Sequence, residues 1–432
     1  MLDELLDAIK EYDGLEYKIT EEKITRIESH FVKKQLEMNR HADVKHTYLT
    51  VYRVFSEDGK KFRGSSVTEI HPGMSRTEIK EVIEESLYVA GFVKNEYYPL
   101  VGANDGAETT FERGDIDVDL YSALERLIPA VYDEDRYDNG YLSYSEFFIA
   151  RKDVRVLNSN GIDRSYTVYS TDMETAVNWK EGNEIEITEQ CKMADFDSEL
   201  LGERVAKLFE VAAKKPLAQM TPAVKDMNIL LTGDCLKEFF SYYYSNANAA
   251  NVYSMISTYK AGDALQGDAL GDKVTMTLNP FLKGSTSSKP YDSDGFPLKS
   301  VELIKDGVLN QYWGDVRFSS YLNIPPTGDI GSYVVTGGTK SITDMKAEPY
   351  LELVSFSGFQ MDSLTGDFAS EIRLGFYFDG TETVPVTGGS VSGNIKKVHG
   401  DMVMSVERAQ YDNYEGPLTV CVRGVSIAGR EV

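Results

Sequence analysis

Histidine is scarce in this chain: five in 432 residues, His30, His41, His46, His71 and His399. None falls in an HExxH pattern, the spacing that sets two zinc ligands on one helix face. His41 and His46 lie five apart at the start of a strand candidate, where odd spacing sends them to opposite faces as ordinary surface histidines. Cysteine is scarcer still. Cys191, Cys235 and Cys421 are odd in number and far apart, which argues against a disulfide framework and for free, buried thiols. GxSxG, a P-loop and CxxC are all missing, and the glycine-rich stretches TGDIG (327–331) and TGG (336–338) lack the strand-to-helix setting that cradles a phosphate. A serine triad assembled in space stays open, with no motif behind it.

Positive charge is short as well. Lys and Arg number 45 against 69 Asp and Glu, a net charge of −24, and no run of cations offsets it. Such a chain repels phosphate backbones and anionic lipid, so neither nucleic acid nor a membrane is expected as a direct partner. No apolar stretch nears the roughly 18 residues of a membrane span. The opening MLDELLDAIKEYDG carries acids where a signal peptide needs cations, and its Leu2, Leu5, Leu6 and Ile9 follow helical spacing. A cytoplasmic protein is expected.

At 432 residues the chain is too long for one core, and its 42% apolar and 26% charged content is that of a folded soluble protein. The first half alternates helices and hairpins. Residues 48–68 read as two strands turning at Asp58-Gly59, and 153–169 as a second hairpin about Asn160-Gly161. Ser75 and Glu78 form a capping box ahead of an apolar stripe of Ile79, Val82, Ile83 and Leu87, with Gly91 placed to end the helix. Further helices are expected near 118–131 and over 197–213. The acidic loop 133–140, DEDRYDNG, lacks the spacing of an EF-hand and reads as a solvated turn. From about 215 glycine and threonine multiply and short strands recur, with one early helix. The expected fold is α+β: an N-terminal α/β domain over 1–195 and a β-rich, barrel-like or sandwich domain over 196–432.

That early helix belongs to 231–244, LTGDCLKEFFSYYY. Its aromatics pack a core or a dimer seam more readily than they hold a ligand, although the same helix would line a groove if one is kept. Four downstream stretches give it context: YDSDGFPLKSVELIKDGVLNQYWGD (291–315), PPTGDIG (325–331), LVSFSGFQMDSLTGDFASEI (353–372) and VPVTGGSVSGN (384–394). In this order and spacing they resemble the TldD/TldE (PmbA) family, also called modulators of DNA gyrase.

The resemblance implies one of two branches. TldD-type subunits are metallopeptidases with a zinc-binding HExxxH helix and a cysteine ligand near the C-terminus; TldE/PmbA-type subunits lack those ligands and pair with TldD to cleave peptides or unfolded proteins. Laid over HExxxH, this chain reads Lys237-Glu238-Phe239-Phe240-Ser241-Tyr242, with a lysine and a tyrosine at the histidine positions. An ammonium repels a metal cation, and a glutamate without zinc has no acidified water to act on. Cys421 lies beyond the family's cysteine position, in an apolar strand, and reads as a buried structural thiol. The ending VRGVSIAGRE resembles PmbA-type chains, and Asp329 stands where that branch commonly has asparagine.

The resemblance therefore implies a TldE/PmbA-like subunit that holds no metal or other cofactor, with zinc supplied by a TldD-like partner. Peptide or unfolded protein would be bound by adding as a strand to a sheet edge. Candidate substrate-binding residues are Lys237, Glu238, Tyr242, Thr327, Gly328, Asp329, Gly366 and Asp367. The alternative is a stand-alone homodimer that binds peptides or another ligand without hydrolysis.

Overall fold

A computed structural model describes residues 1–105, 119–180, 185–225 and 227–430. The N-terminal half is built on one six-stranded antiparallel sheet, order β3-β2-β1-β4-β5-β6. Its strands are β1 (Glu16–Val32), β2 (Gln35–Glu57), β3 (Lys60–Glu69), β4 (Gly140–Asn158), β5 (Asp163–Trp179) and β6 (Ile185–Met193). The Asp58-Gly59 hairpin forms as expected: Glu57 pairs Lys60, and both turn residues take positive φ, 52° and 76°. The hairpin at Asn160-Gly161 joins β4 to β5, with Gly161 at φ 87°.

Helices cover one face in two groups. Helix α1 (Leu2–Ile9) and α2 (Arg76–Ala90) bury Leu5, Ile79 and Ile83 against Ile19, Leu49 and Val51. Helix α2 starts at the expected capping box, Ser75 accepting from the Glu78 amide while the Glu78 carboxylate accepts from the Ser75 amide. Helix α3 (Leu120–Tyr132) and α4 (Ser198–Lys214, capped by Asp197) pack with β4, β5 and β6 around Phe147, Ile149, Met173 and Phe209. By packing, α4 belongs to this N-terminal core, whereas the sequence division at 195/196 puts it in the other domain. The 118–131 helix expectation falls partly outside the described residues, and the part described is α3.

The C-terminal half is β-rich. Six strands run in the order Val308–Leu309, Val301–Lys305, Thr275–Leu278, Tyr333–Thr336, Tyr414–Pro417, Arg408–Tyr411. A larger sheet runs Val403–Met404, Thr419–Val422, Asn228–Thr232, Tyr350–Phe356, Asp367–Phe378, Thr383–Thr387, Gln219–Met220; Gln360–Met361 and Ser390–Asn394 also pair with Asp367–Phe378, and Ser426–Ala428 pairs with Ser390–Asn394. Side chains of both sheets meet helix α5 (Cys235–Asn246) in one core that holds Leu231, Phe239, Phe240, Tyr243, Met276, Leu351 and Val420.

The sequence suggests a single helix in this half; the structure adds short ones at Ala249–Tyr253, Val316–Leu322, Ile342–Met345 and Ile395–Val398. Each spans seven residues or fewer and starts at a side-chain cap from Asn248, Asp315, Ser341 or Asn394, so none is long enough to display a helical period. Among the described residues no helix is long and apolar enough to cross a membrane.

Two of the quoted motifs pack on each other here. Gly328 takes φ +76°, and a Cβ on it would lie 2.3 Å from Leu298 Cδ2 and 3.2 Å from Asp292 Oδ2. Asp292 Oδ1 accepts from the amides of Asp294 and Phe296, folding the 291–296 turn. Its other oxygen has no hydrogen-bond partner among the described residues. Burial in this spot, reinforced by Asp294, pushes the Asp292 carboxyl up to about 7.

Candidate functional site

Helix α5 answers for its own aromatics. Cys235, Leu236, Phe239, Phe240, Tyr242 and Tyr243 are all buried, with Phe239 edge-on to Phe240 and Phe368. Lys237, Glu238 and Ser241, at i, i+1 and i+4, make the remaining polar face. Lys237 and Glu238 look into a cleft of about 540 Å³ between the two halves of the molecule.

The opposite wall is β6. Among the described residues it is the last strand of its sheet and pairs only with β5, and residues 188–193 line the cleft. Its side chains alternate, Ile187, Cys191 and Met193 joining the core under α4 while Glu186, Thr188, Gln190 and Lys192 are exposed. Glu189 breaks that alternation, a carboxylate on the apolar side of the strand. Burial pushes it up to about 7, against the pull of Arg204, whose Nη1 lies 4.0 Å away; about 30% of the Glu189 side chain remains exposed, on the cleft side.

Arg204 ties the halves together. It projects from α4, donates to the Gln410 carbonyl at 2.9 Å and stacks 4.1 Å from the centre of the Tyr411 ring. Beside it Asp412 accepts from the Thr286 amide (2.9 Å) and hydroxyl (2.8 Å) and lies 3.9 Å from Lys237 Nζ. The floor of the cleft closes where the Ala194 amide donates to the Gly284 carbonyl, just past the end of β6.

Of the eight residues singled out from sequence, two line this cleft, Lys237 and Glu238. Tyr242 faces the core, edge-on to Tyr259 and against Gly366, since five residues along a helix turn a side chain about 140° away. Gly366, at φ +86°, leaves the space that the Tyr242 ring fills. Asp367 accepts from Asn394 at 2.7 Å in a separate shallow groove. Thr327 is buried and accepts from the Gly314 amide, while Asp329 is exposed, 3.9 Å from Lys289. Glu189, Arg204, Asp234, Lys283, Tyr411 and Asp412 were not picked out. For Glu189 a signal existed in Ile185-x-Ile187-x-Glu189-x-Cys191-x-Met193; the others meet only in space.

The donors round the cleft do not suit zinc. None of its described lining residues is a histidine, Lys237 brings an ammonium, and burial raises the Cys191 thiol to about 11 and also pushes the Cys235 thiol well above its ordinary value. These two cysteines, distant in sequence, line the same cleft, and all three thiols are free. Cys421 lies elsewhere, in the strand Thr419–Val422, and is half-buried rather than buried. The surface histidines behave as expected from their spacing: His41 stacks on Tyr121, and His46 contacts Glu69.

Residues 224–429 match the family model described as the PmbA/TldA metallopeptidase C-terminal domain. A metalloprotease PmbA homolog of Buchnera aphidicola is 24% identical over 213 residues, 48% of this chain and 46% of the relative. Metalloprotease PmbA of Escherichia coli O157:H7 is 25% identical over 44% of each chain. The chain thus spans about half the length of these curated relatives. Among solved structures, TldE of Thermococcus kodakarensis superposes with a TM-score of 0.78 at 16% identity, over 99% of this chain and all of that one. A putative modulator of a DNA gyrase from Thermotoga maritima does so at 0.78 and 17%, with the same coverage. At these identities the likeness is one of fold.

Proposed function

Because the chain belongs to the PmbA/TldD family, we propose that it is the zinc-less, TldE/PmbA-like subunit of a peptidase, holding peptide or unfolded protein while a TldD-like partner supplies zinc and hydrolysis. The observation that carries the reading is the unpaired edge of β6 forming one wall of a cleft whose other wall is the polar face of α5. An edge strand presents backbone N–H and C=O groups to any extended chain laid beside it, whatever that chain's sequence. Such a peptide pairs with β6, and Lys237 and Glu238 bound it on the far side. A donor set with an ammonium and no imidazole is a poor zinc ligand and favours binding over zinc-assisted cleavage.

The test is binding of a dye-labelled unfolded peptide to the full chain, repeated with peptides N-methylated at every second residue in each of the two registers. N-methylation removes the donors of one strand edge and leaves side chains in place. We expect one register to lose at least about tenfold in affinity, the loss of two or more backbone hydrogen bonds. Equal affinity for both N-methylated peptides and the parent would rule out strand addition.

A further inference from the structure

A second chamber of about 560 Å³ adjoins the cleft and has a different lining. The two share Thr188, Glu189, Arg204, Asp234, Val354, Ser355 and Tyr411, so the Arg204–Tyr411 stack stands where they meet. Beyond that stack the walls gain apolar side chains that the cleft lacks: Leu208 and Val211 of α4 on one side, Ile342, Tyr350 and Phe376 of the C-terminal half on the other. Four of the charges at its rim are engaged in pairs, Lys346 with Glu352 at 2.7 Å and Lys207 with Glu210 at 3.1 Å. Lys214 lies over the Phe376 ring, 5.3 Å from its centre. A charged occupant finds no unspent partner among these pairs, whereas an apolar one gains surface on both walls.

The chamber is also aligned with β6. Residues 188–193 of that strand face the polar cleft and 187–189 face the chamber. At ~3.3 Å per residue the two lie about 8 Å apart along one strand edge, two to three residues of an added peptide. Side chains of an added strand alternate between faces, and those on the α4 side point at Leu208 and Val211.

We propose that this chamber is a specificity subsite for one large apolar or aromatic side chain of the bound peptide, placed two to three residues along from the segment beside Lys237 and Glu238. The proposal rests on the peptide-binding reading above. It assigns the groove a preference that backbone pairing to β6 cannot supply, and it makes α4 and the strand Asp367–Phe378 joint owners of that preference.

The test compares dye-labelled eight-residue peptides identical except for Phe, Leu, Ala or Glu at one central position, by fluorescence anisotropy on the full chain. Phe and Leu peptides are expected to bind at least about tenfold tighter than the Ala and Glu peptides. Val211→Trp, which fills the chamber, is expected to bring the Phe-to-Ala ratio within twofold. Phe376→Ala, which strips one wall, should lower the same ratio and serves if the first variant does not fold. A wild-type ratio near one overturns the subsite and leaves peptide binding standing. Failure of every peptide to bind overturns both.

Discussion

Asp292→Asn isolates a cost built into the fold. The Asp292 carboxyl is only 1% exposed, one of its oxygens has no partner among the described residues, and burial carries it up to about 7. In the unfolded chain it returns to near 4, and each tenfold difference in protonation balance is worth about 1.4 kcal/mol, so the ionised form costs the native state about 4 kcal/mol. The sign follows from the raised value. The folded chain holds the proton that the unfolded one releases, so stability is full below about pH 4 and falls as pH rises to about 7. Roughly 2.5 kcal/mol of the loss lies between pH 5 and pH 8. Asparagine keeps the oxygen that accepts from Asp294 and Phe296 and never ionises. Urea unfolding of wild type and variant at pH 5, 6, 7 and 8 reads the difference directly. Glu189 and Asp195, which burial also raises, are common to both proteins and cancel. The stability of the variant relative to wild type should climb by about 2.5 kcal/mol over that range. A difference that does not change with pH would show that Asp292 is not held protonated.

Gly328→Ala places a Cβ against Leu298 in a left-handed conformation and should cost about 2–4 kcal/mol in urea unfolding, from backbone strain plus overpacking. A loss below about 1 kcal/mol would mean that the 291–298 segment yields easily. Arg204→Met removes a charge-assisted hydrogen bond and the stack on Tyr411, so a loss of about 2–4 kcal/mol is expected. It also deprives Glu189 of the cation that restrains its pKa, so carbon NMR of the Glu189 carboxyl should find its midpoint moved up from about 7. An unchanged or lower midpoint contradicts the pairing.

The parts of the fold visible in sequence were those set by local chemistry. Asp58-Gly59, Asn160-Gly161 and the Ser75–Glu78 box act within four residues of themselves, and each sits where its pattern puts it. Strand β1, EYKITEEKITRIESHFV, gave no clear sign, and β2 begins at Gln35, well before the hairpin legible at 48. Their exposed faces are crowded with Glu, Lys and Arg, which blunts the apolar alternation that marks a strand. The family resemblance drew attention to α5, whose Lys237 and Glu238 line the cleft, while Tyr242, five residues on from Lys237, faces the core. The cleft itself joins Glu189, Arg204, Lys237 and Asp412, and contacts spanning that much sequence leave no periodic trace.

The measurement that bears most directly on the account is hydrolysis of a quenched-fluorescent unfolded protein by three samples in excess zinc: this chain alone, a TldD-like subunit alone, and the two mixed. The account predicts no cleavage by this chain at any zinc concentration and cleavage by the mixture faster than by the TldD-like subunit alone. Zinc-dependent cleavage by this chain alone would contradict it, because the cleft lined by Lys237 and Glu238 would then not be the site that acts.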